Sequence, residues 1–302
     1  MPQDTKERYG VSRRIAGMAS SSVSEENAAK KWSQTASSYV RYFEPTTLVA
    51  SRYLLNCMKL QFQDYPLTIL EAGAGAGGAA KELLCNLYGL SLGHLYVTDV
   101  ADAMLEKARD RLSGSLPNGE KVSVEKANFA ALKYADATFD RYYANMCLHY
   151  ADDPDVVLQE AFRVLKQNGI AGFTVWGRCA DSPLMTIVPD VLHEFGLDKK
   201  DPSKRSNFHL GEDDDALRRR FMNQHGFRKC VVMHYPGVIE CFDPDAYVEL
   251  IIDGAASTKE QIESFSKEDQ KRVRQEVRDR AGKLLDAGKP LMLDMVVVVA
   301  QK

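Results

Sequence analysis

Residues 67–80 read Leu67-Thr68-Ile69-Leu70-Glu71-Ala72-Gly73-Ala74-Gly75-Ala76-Gly77-Gly78-Ala79-Ala80. Leu67 to Leu70 is a short apolar run of the kind that forms a buried strand. An acid and a run of glycines follow, and then Ala79, Ala80, Leu83, Leu84 and Leu87 recur at helical spacing. A strand, a glycine turn and a helix N-terminus together let backbone approach a ligand closely.

The turn alone admits several readings. Gly73-x-Gly75-x-x-Gly78 satisfies the dinucleotide fingerprint, with Asp99 about 20 residues beyond it. The same residues satisfy the acid-x-Gly-x-Gly-x-Gly turn of Rossmann-like methyltransferases, which bind S-adenosylmethionine. A glycine turn can also serve tight packing alone. The rest of the chain has to separate these.

Composition narrows the class. A chain of 302 residues with net charge -3 has no basic footprint, so nucleic acid is not an expected partner. Cys57, Cys85, Cys147, Cys179, Cys230 and Cys241 are scattered with no C-x-x-C pair, which points to a reduced, cytoplasmic setting and no metal site. No apolar run reaches membrane-spanning length. Residues 1–24 are polar and serine-rich, lack a signal-peptide core and read as a disordered tail. Nothing in the sequence sets the oligomeric state.

Upstream of the turn, Ala28, Trp32, Ala36, Tyr39 and Val40 fall at three- and four-residue steps and predict an amphipathic helix over Glu25 to Phe43. Pro45 breaks it and opens a second helix to about Leu60. Downstream, His94 to Thr98 is a second strand ending at Asp99, whose carboxylate can accept ribose hydroxyls or cap the helix Ala101 to Leu112. Lys121 to Ala127 and Arg141 to Leu148 read as the third and fourth strands. A helix opened by Pro154 is expected to end at Asn168-Gly169, before a fifth strand, Ile170 to Trp176.

Four segments in order carry a family resemblance. They are Ile69-Leu70-Glu71-Ala72-Gly73-Ala74-Gly75; Val97-Thr98-Asp99 followed by Ala103-Met104-Leu105; Thr138-Phe139-Asp140; and Leu158-x-Glu160-x-x-Arg163-Val164-Leu165-Lys166-x-x-Gly169. Over about residues 66–176 this set resembles the class I S-adenosylmethionine-dependent methyltransferases, especially the small-molecule branch that includes the UbiE/Coq5-like enzymes. Dinucleotide dehydrogenases do not carry the last two segments. The resemblance implies an α/β, Rossmann-like fold: a seven-stranded, mostly parallel sheet with an antiparallel last strand, helices on both faces and helical cap insertions. Phe227 to Tyr235 would be the sixth strand and Pro290 to Ala300 the last, lying between the fifth and sixth. Residues 25–302 would form one methyltransferase domain, with lid helices over 25–60 and cap insertions at about 177–226 and 236–289.

By the same resemblance the cofactor is S-adenosyl-L-methionine. Glu71 would sit near its methionine end, with the backbone of Gly73 and Gly75 facing it. Asp99 would hold the ribose, and Val100 and Met104 would flank the adenine. Asn128 and Phe129 would meet the adenine edge. The family usually has Asp where Asn128 stands, so the charge is lost and the acceptor oxygen kept. Asn145 would offer its carbonyl to the methionine ammonium. Trp32 and Tyr39 either close over the cofactor or pack the helix on the sheet. His149 either takes a proton from a phenol or an acidic C–H, or bonds to backbone or to a lid residue. The expected reaction is direct in-line methyl transfer to O, C or N of a small organic molecule. A protein methyltransferase, a non-catalytic cofactor-binding subunit and an NAD-dependent oxidoreductase are the competing readings.

Overall fold

Seven strands form one sheet: β1 (Leu67–Ala72), β2 (Leu92–Asp99), β3 (Lys121–Lys126), β4 (Phe139–Asn145), β5 (Leu165–Trp176), β6 (Lys229–Val238) and β7 (Met292–Gln301). Their order across the sheet is β3-β2-β1-β4-β5-β7-β6. The first five run parallel, and β7 is antiparallel to both β5 and β6. This is the mostly parallel, Rossmann-like sheet the sequence implied. The computed structural model describes residues 25–61, 63–86, 91–113, 121–199, 206–238 and 243–302. The expected tail over residues 1–24 lies outside them.

Both faces of the sheet are covered, so its central strands are apolar on both sides. Alternation along each strand divides the core in two. Tyr142, Phe173, Val296 and Val298 pack with α5 (Pro154–Val164) and α7 (Asp214–Arg219). Ile69, Tyr143 and Val297 pack with α2 (Glu44–Cys57) and α3 (Gly78–Cys85). A third cluster joins α6 (Pro183–Glu194), α8 (Pro244–Val248) and α10 (Lys267–Asp286) to Met146, Leu293 and Met295. Met146 follows β4, so these helices meet the sheet at the carboxyl ends of the parallel strands.

At four boundaries a local cause explains the departure from expectation. Helix α1, residues 25–38, passes through a π turn, Tyr39–Phe43, straight into α2. Pro45 sits at the start of α2, where its missing N–H costs nothing, so no loop is needed. Strand β4 stops at Asn145, because Met146 takes φ +53° and Leu148–Tyr150 form a 3-10 turn. Helix α5 ends at Val164, not at Asn168-Gly169. Leu165 already pairs with Phe139, and the extra residues before Ile170 are absorbed by a register shift with Asn168 at φ +67°. Strand β6 runs through Pro236 to Val238. Among the described residues it pairs only with β7, and on such an edge proline's missing N–H is tolerated.

Two segments of the family resemblance turn out to be braces. Glu160 Oε2 accepts the Leu132 N–H at 2.8 Å, and Arg163 holds Glu160 through two bonds while donating to the Leu132 and Tyr134 carbonyls. Asp140 Oδ2 accepts the Thr68 N–H at 2.9 Å, tying β4 to the start of β1.

Candidate functional site

Strand β1 lies between β2 and β4, where the strand order reverses, and open α/β sheets bind ligands at the carboxyl edge of such a point. The glycine turn stands there. Gly73, Gly75 and Gly77 have φ of +66°, +55° and +71°. Side chains other than glycine rarely adopt these angles. Asp99, at the end of β2, is buried beside the turn. Its Oδ2 accepts the Gly75 N–H at 2.8 Å and its Oδ1 the Ala101 N–H at 2.9 Å. Burial raises its pKa, against the pull of backbone bonds from Ala101, Gly75 and Val100. An ionised carboxylate has about four lone-pair sites, so Asp99 can brace the turn and still accept hydroxyls.

Gly73 is held twice. A Cβ added there would lie 2.7 Å from Cys147 Sγ, in addition to the positive φ. Gly73→Ala is therefore expected to cost about 2 kcal/mol of stability, read from the urea midpoint. A Cys147→Gly background should recover the part due to the clash and leave the part due to φ.

Glu71 is buried under the turn. The Tyr143 hydroxyl donates to its Oε2 at 3.0 Å, as the register of Glu71 opposite Tyr143 allows. It also takes a backbone bond from Ala80, in the first turn of α3. Burial lifts its pKa to about 8, the Tyr143 and Ala80 bonds oppose the rise, and nearby Asp99 adds to it. The folded protein thus holds a proton on Glu71 that the unfolded chain releases above its ordinary value of 4.5. The resulting stabilisation is complete below 4.5 and is lost as pH rises through about 8. Glu71→Gln should show a melting temperature that falls less across that window than the wild type's.

The first helix covers the turn. Trp32, Tyr39 and Val40 pack with buried Ala36, Ala76, Ala101 and Met104. The Tyr39 hydroxyl lies 2.9 Å from Thr47 Oγ1, and burial holds its pKa far above the usual phenol value. Trp32 meets Tyr39 and Tyr150 edge-on, with centroids 5.9 and 5.2 Å apart. Asn128 closes the far end: its amide donates to Glu25 Oε2 at 2.9 Å, and its oxygen accepts the Ala130 N–H at 2.9 Å. Phe129 packs against the larger core and Val100 is half-buried. Asn145, at the end of β4, donates to the Thr47 carbonyl and accepts from Thr174 Oγ1 at 2.7 Å. His149 lies beyond it in the 3-10 turn, and burial, with a smaller push from His209, lowers its pKa to about 3.

Several neighbours of the site carry no motif. Thr47, Tyr143, Cys147 and Thr174 hold the expected residues in place. The register of β1 against β4 is the one signal that could have found Tyr143. Glu44 and Arg111 form a two-bond ion pair, at 2.6 and 2.7 Å, that joins α2 to α4 (Asp102–Leu112) against Gly78. At the far edge, His234 bridges Asp294 and Asp214, at 2.7 Å each, and Asp294 also accepts the Arg178 N–H. Burial pulls this imidazole down, but the two carboxylates outweigh it and hold its pKa above the ordinary value.

Residues 70–173 match the family described as a methyltransferase domain. The chain is 33% identical over 114 residues to a sterol 24-C-methyltransferase of Aspergillus fumigatus, spanning 36% of this chain and 28% of that protein. It is 34% identical over 101 residues to the ubiquinone/menaquinone biosynthesis C-methyltransferase UbiE of Vibrio cholerae, spanning 33% and 38%. The chain thus covers less than half the length of either relative. Among solved structures, the YcgJ protein of Bacillus subtilis superposes with a TM-score of 0.52 at 17% identity, covering 83% of this chain and 98% of that one, and shows the fold. The ordered motifs, the glycine turn at the switch point and the family match agree on a methyltransferase domain over residues 70–173.

Proposed function

We propose that this protein transfers a methyl group from S-adenosylmethionine to a small organic molecule by direct displacement at O, C or N. The observation that carries the reading is the meeting of a buried carboxylate, Asp99, with a left-handed glycine turn at the sheet's switch point. The residues fit the cofactor. Gly75 is less crowded than Gly73, since an added Cβ would be in ordinary van der Waals contact with Tyr39 Cε1 at 3.9 Å and Met104 Sδ at 4.0 Å.

Asp99 would hold the ribose, Val100 and Met104 the adenine faces, and Asn128 with the Phe129 backbone its edge. Gly73, Gly75 and the Asn145 carbonyl would face the methionine portion. Glu71 supports the turn from beneath. The bound cofactor supplies an electrophilic methyl group, so the protein's task is placement in a dry pocket. Trp32 and Tyr39 exclude water from that pocket. The helices α6, α8 and α10 would cap the acceptor, and His149 would stand on the acceptor side. We place the protein in the cytoplasm. No helix among the described residues is long and apolar enough to cross a membrane.

Calorimetric titration with S-adenosylmethionine, S-adenosylhomocysteine and NAD in parallel tests this. Binding of the two adenosyl ligands without NAD is expected. Binding of NAD alone would overturn it.

A further inference from the structure

Among the described residues, both ring nitrogens of His149 are buried without a hydrogen-bond partner. The side chain is only 4% exposed. A neutral imidazole carries one donor and one acceptor, and leaving both empty in a buried place is costly. A ligand group that supplied the missing partner would remove that cost.

Its surroundings are aromatic. The ring lies 4.2 Å from Tyr150 and 5.6 Å from Trp176, centroid to centroid. Trp176 in turn meets Phe208 at 5.0 Å, and Tyr150 meets Trp32 at 5.2 Å. These rings come from the turn after β4, the end of β5, the Ser206–Phe208 turn and the first helix. The cluster begins two residues after Cys147, which touches Gly73. It therefore lies close to the glycine turn.

We propose that His149 is the hydrogen-bonding anchor of the methyl acceptor, and that the acceptor is an uncharged planar ring compound bearing a hydroxyl or carbonyl group. The proposal rests on the methyltransferase reading and deepens it. Flat aromatic walls select a flat ligand that can stack or meet them edge-on. A carboxylate would favour an imidazolium, which burial and the neighbouring His209 both oppose. An ammonium would carry an unpaired charge into the apolar cluster. A neutral hydroxyl or carbonyl satisfies a ring nitrogen and brings no charge into the cluster. His149 here is a positioning group, neutral in the resting protein.

The chain's two tryptophans, Trp32 and Trp176, both lie in this cluster, so intrinsic fluorescence reports on it directly. The full chain, saturated with S-adenosylhomocysteine, is titrated with phenol, benzoate and benzylammonium, three probes that differ in charge. Phenol should give a saturable change, with the other two weaker by about tenfold or more. His149→Phe should weaken phenol binding by about tenfold, leave S-adenosylhomocysteine affinity unchanged, and keep or raise the melting temperature, because an unmet polar group is replaced by a ring. Benzoate or benzylammonium binding as tightly as phenol would overturn the proposal. So would unchanged phenol affinity in His149→Phe, or a marked loss of melting temperature, which would mean that the nitrogens serve the fold. If S-adenosylhomocysteine itself fails to bind the wild type, the methyltransferase reading fails first and the proposal falls with it.

Discussion

Asp99→Ala should weaken S-adenosylhomocysteine binding by about 100-fold or more. Hydrogen bonds to a charged group contribute roughly 1.5–3 kcal/mol each, and two ribose hydroxyls facing one carboxylate would multiply to that range. The same carboxylate also accepts the Gly75 and Ala101 N–H groups, so its loss frees two backbone donors at the turn. Asp99→Asn separates the two roles in part. It keeps one acceptor oxygen but turns an amide donor towards the other N–H, and affinity should remain low. Calorimetry reads the affinity, and a thermal melt without ligand reads the damage to the turn. If Asp99→Ala binds within about threefold of the wild type, the ribose assignment is wrong.

The second large effect is on stability. Arg111→Ala removes the guanidinium that makes two bonds to Glu44, whose side chain is 9% exposed. An unpaired buried carboxylate is the costly product, and about 3 kcal/mol of destabilisation is expected from the urea midpoint. Replacing both partners, as Glu44→Gln with Arg111→Met, should recover most of the loss, because the desolvation cost disappears with the charges. The pair lines Gly78 at the start of α3, where a Cβ would lie 2.9 Å from both Glu44 Oε1 and Arg111 Nη1. Arg111→Ala should therefore also loosen the helix that follows the glycine turn. A single variant as stable as the double one would show that the pair contributes little.

How much of this was legible depends on how local the signal is. Strand β1, the glycine turn and Asp99 are local: an apolar run, forbidden φ angles and an acid at a strand end are written in adjacent residues. The sheet order was legible only through the family resemblance, since no residue of β7 announces that it inserts between β5 and β6. The end of α5 was misread because Asn168-Gly169 looks like a helix stop, whereas Leu165 gains more by pairing with Phe139 in the ladder. The resemblance puts Glu71 near the ligand's methionine end and says nothing of what holds it there. Its partners, the Tyr143 hydroxyl and Ala80, come from another strand and from the helix, and cross-strand register is not visible in one stretch of chain. Glu160 and Arg163 helped identify the family, yet they brace the segment over residues 132–136 and touch no part of the turn. That the His149 nitrogens are buried without a hydrogen-bond partner is a fact of packing alone.

Strand β7 also sets a timetable for synthesis. It is the last of the strands to leave the ribosome, and it is the one that bridges β5 and β6. Until Met292–Gln301 emerge, the nascent sheet ends at β5, whose largely apolar residues Ile170–Trp176 present an outer row of N–H and C=O groups with no permanent neighbour. More than one hundred residues of cap and edge strand, 177–291, must be translated in that interval. An uncovered edge of that kind invites pairing with another chain. Ribosome-bound chains halted before residue 292 should therefore recruit holdase chaperones strongly, and release them once the final strand closes the gap.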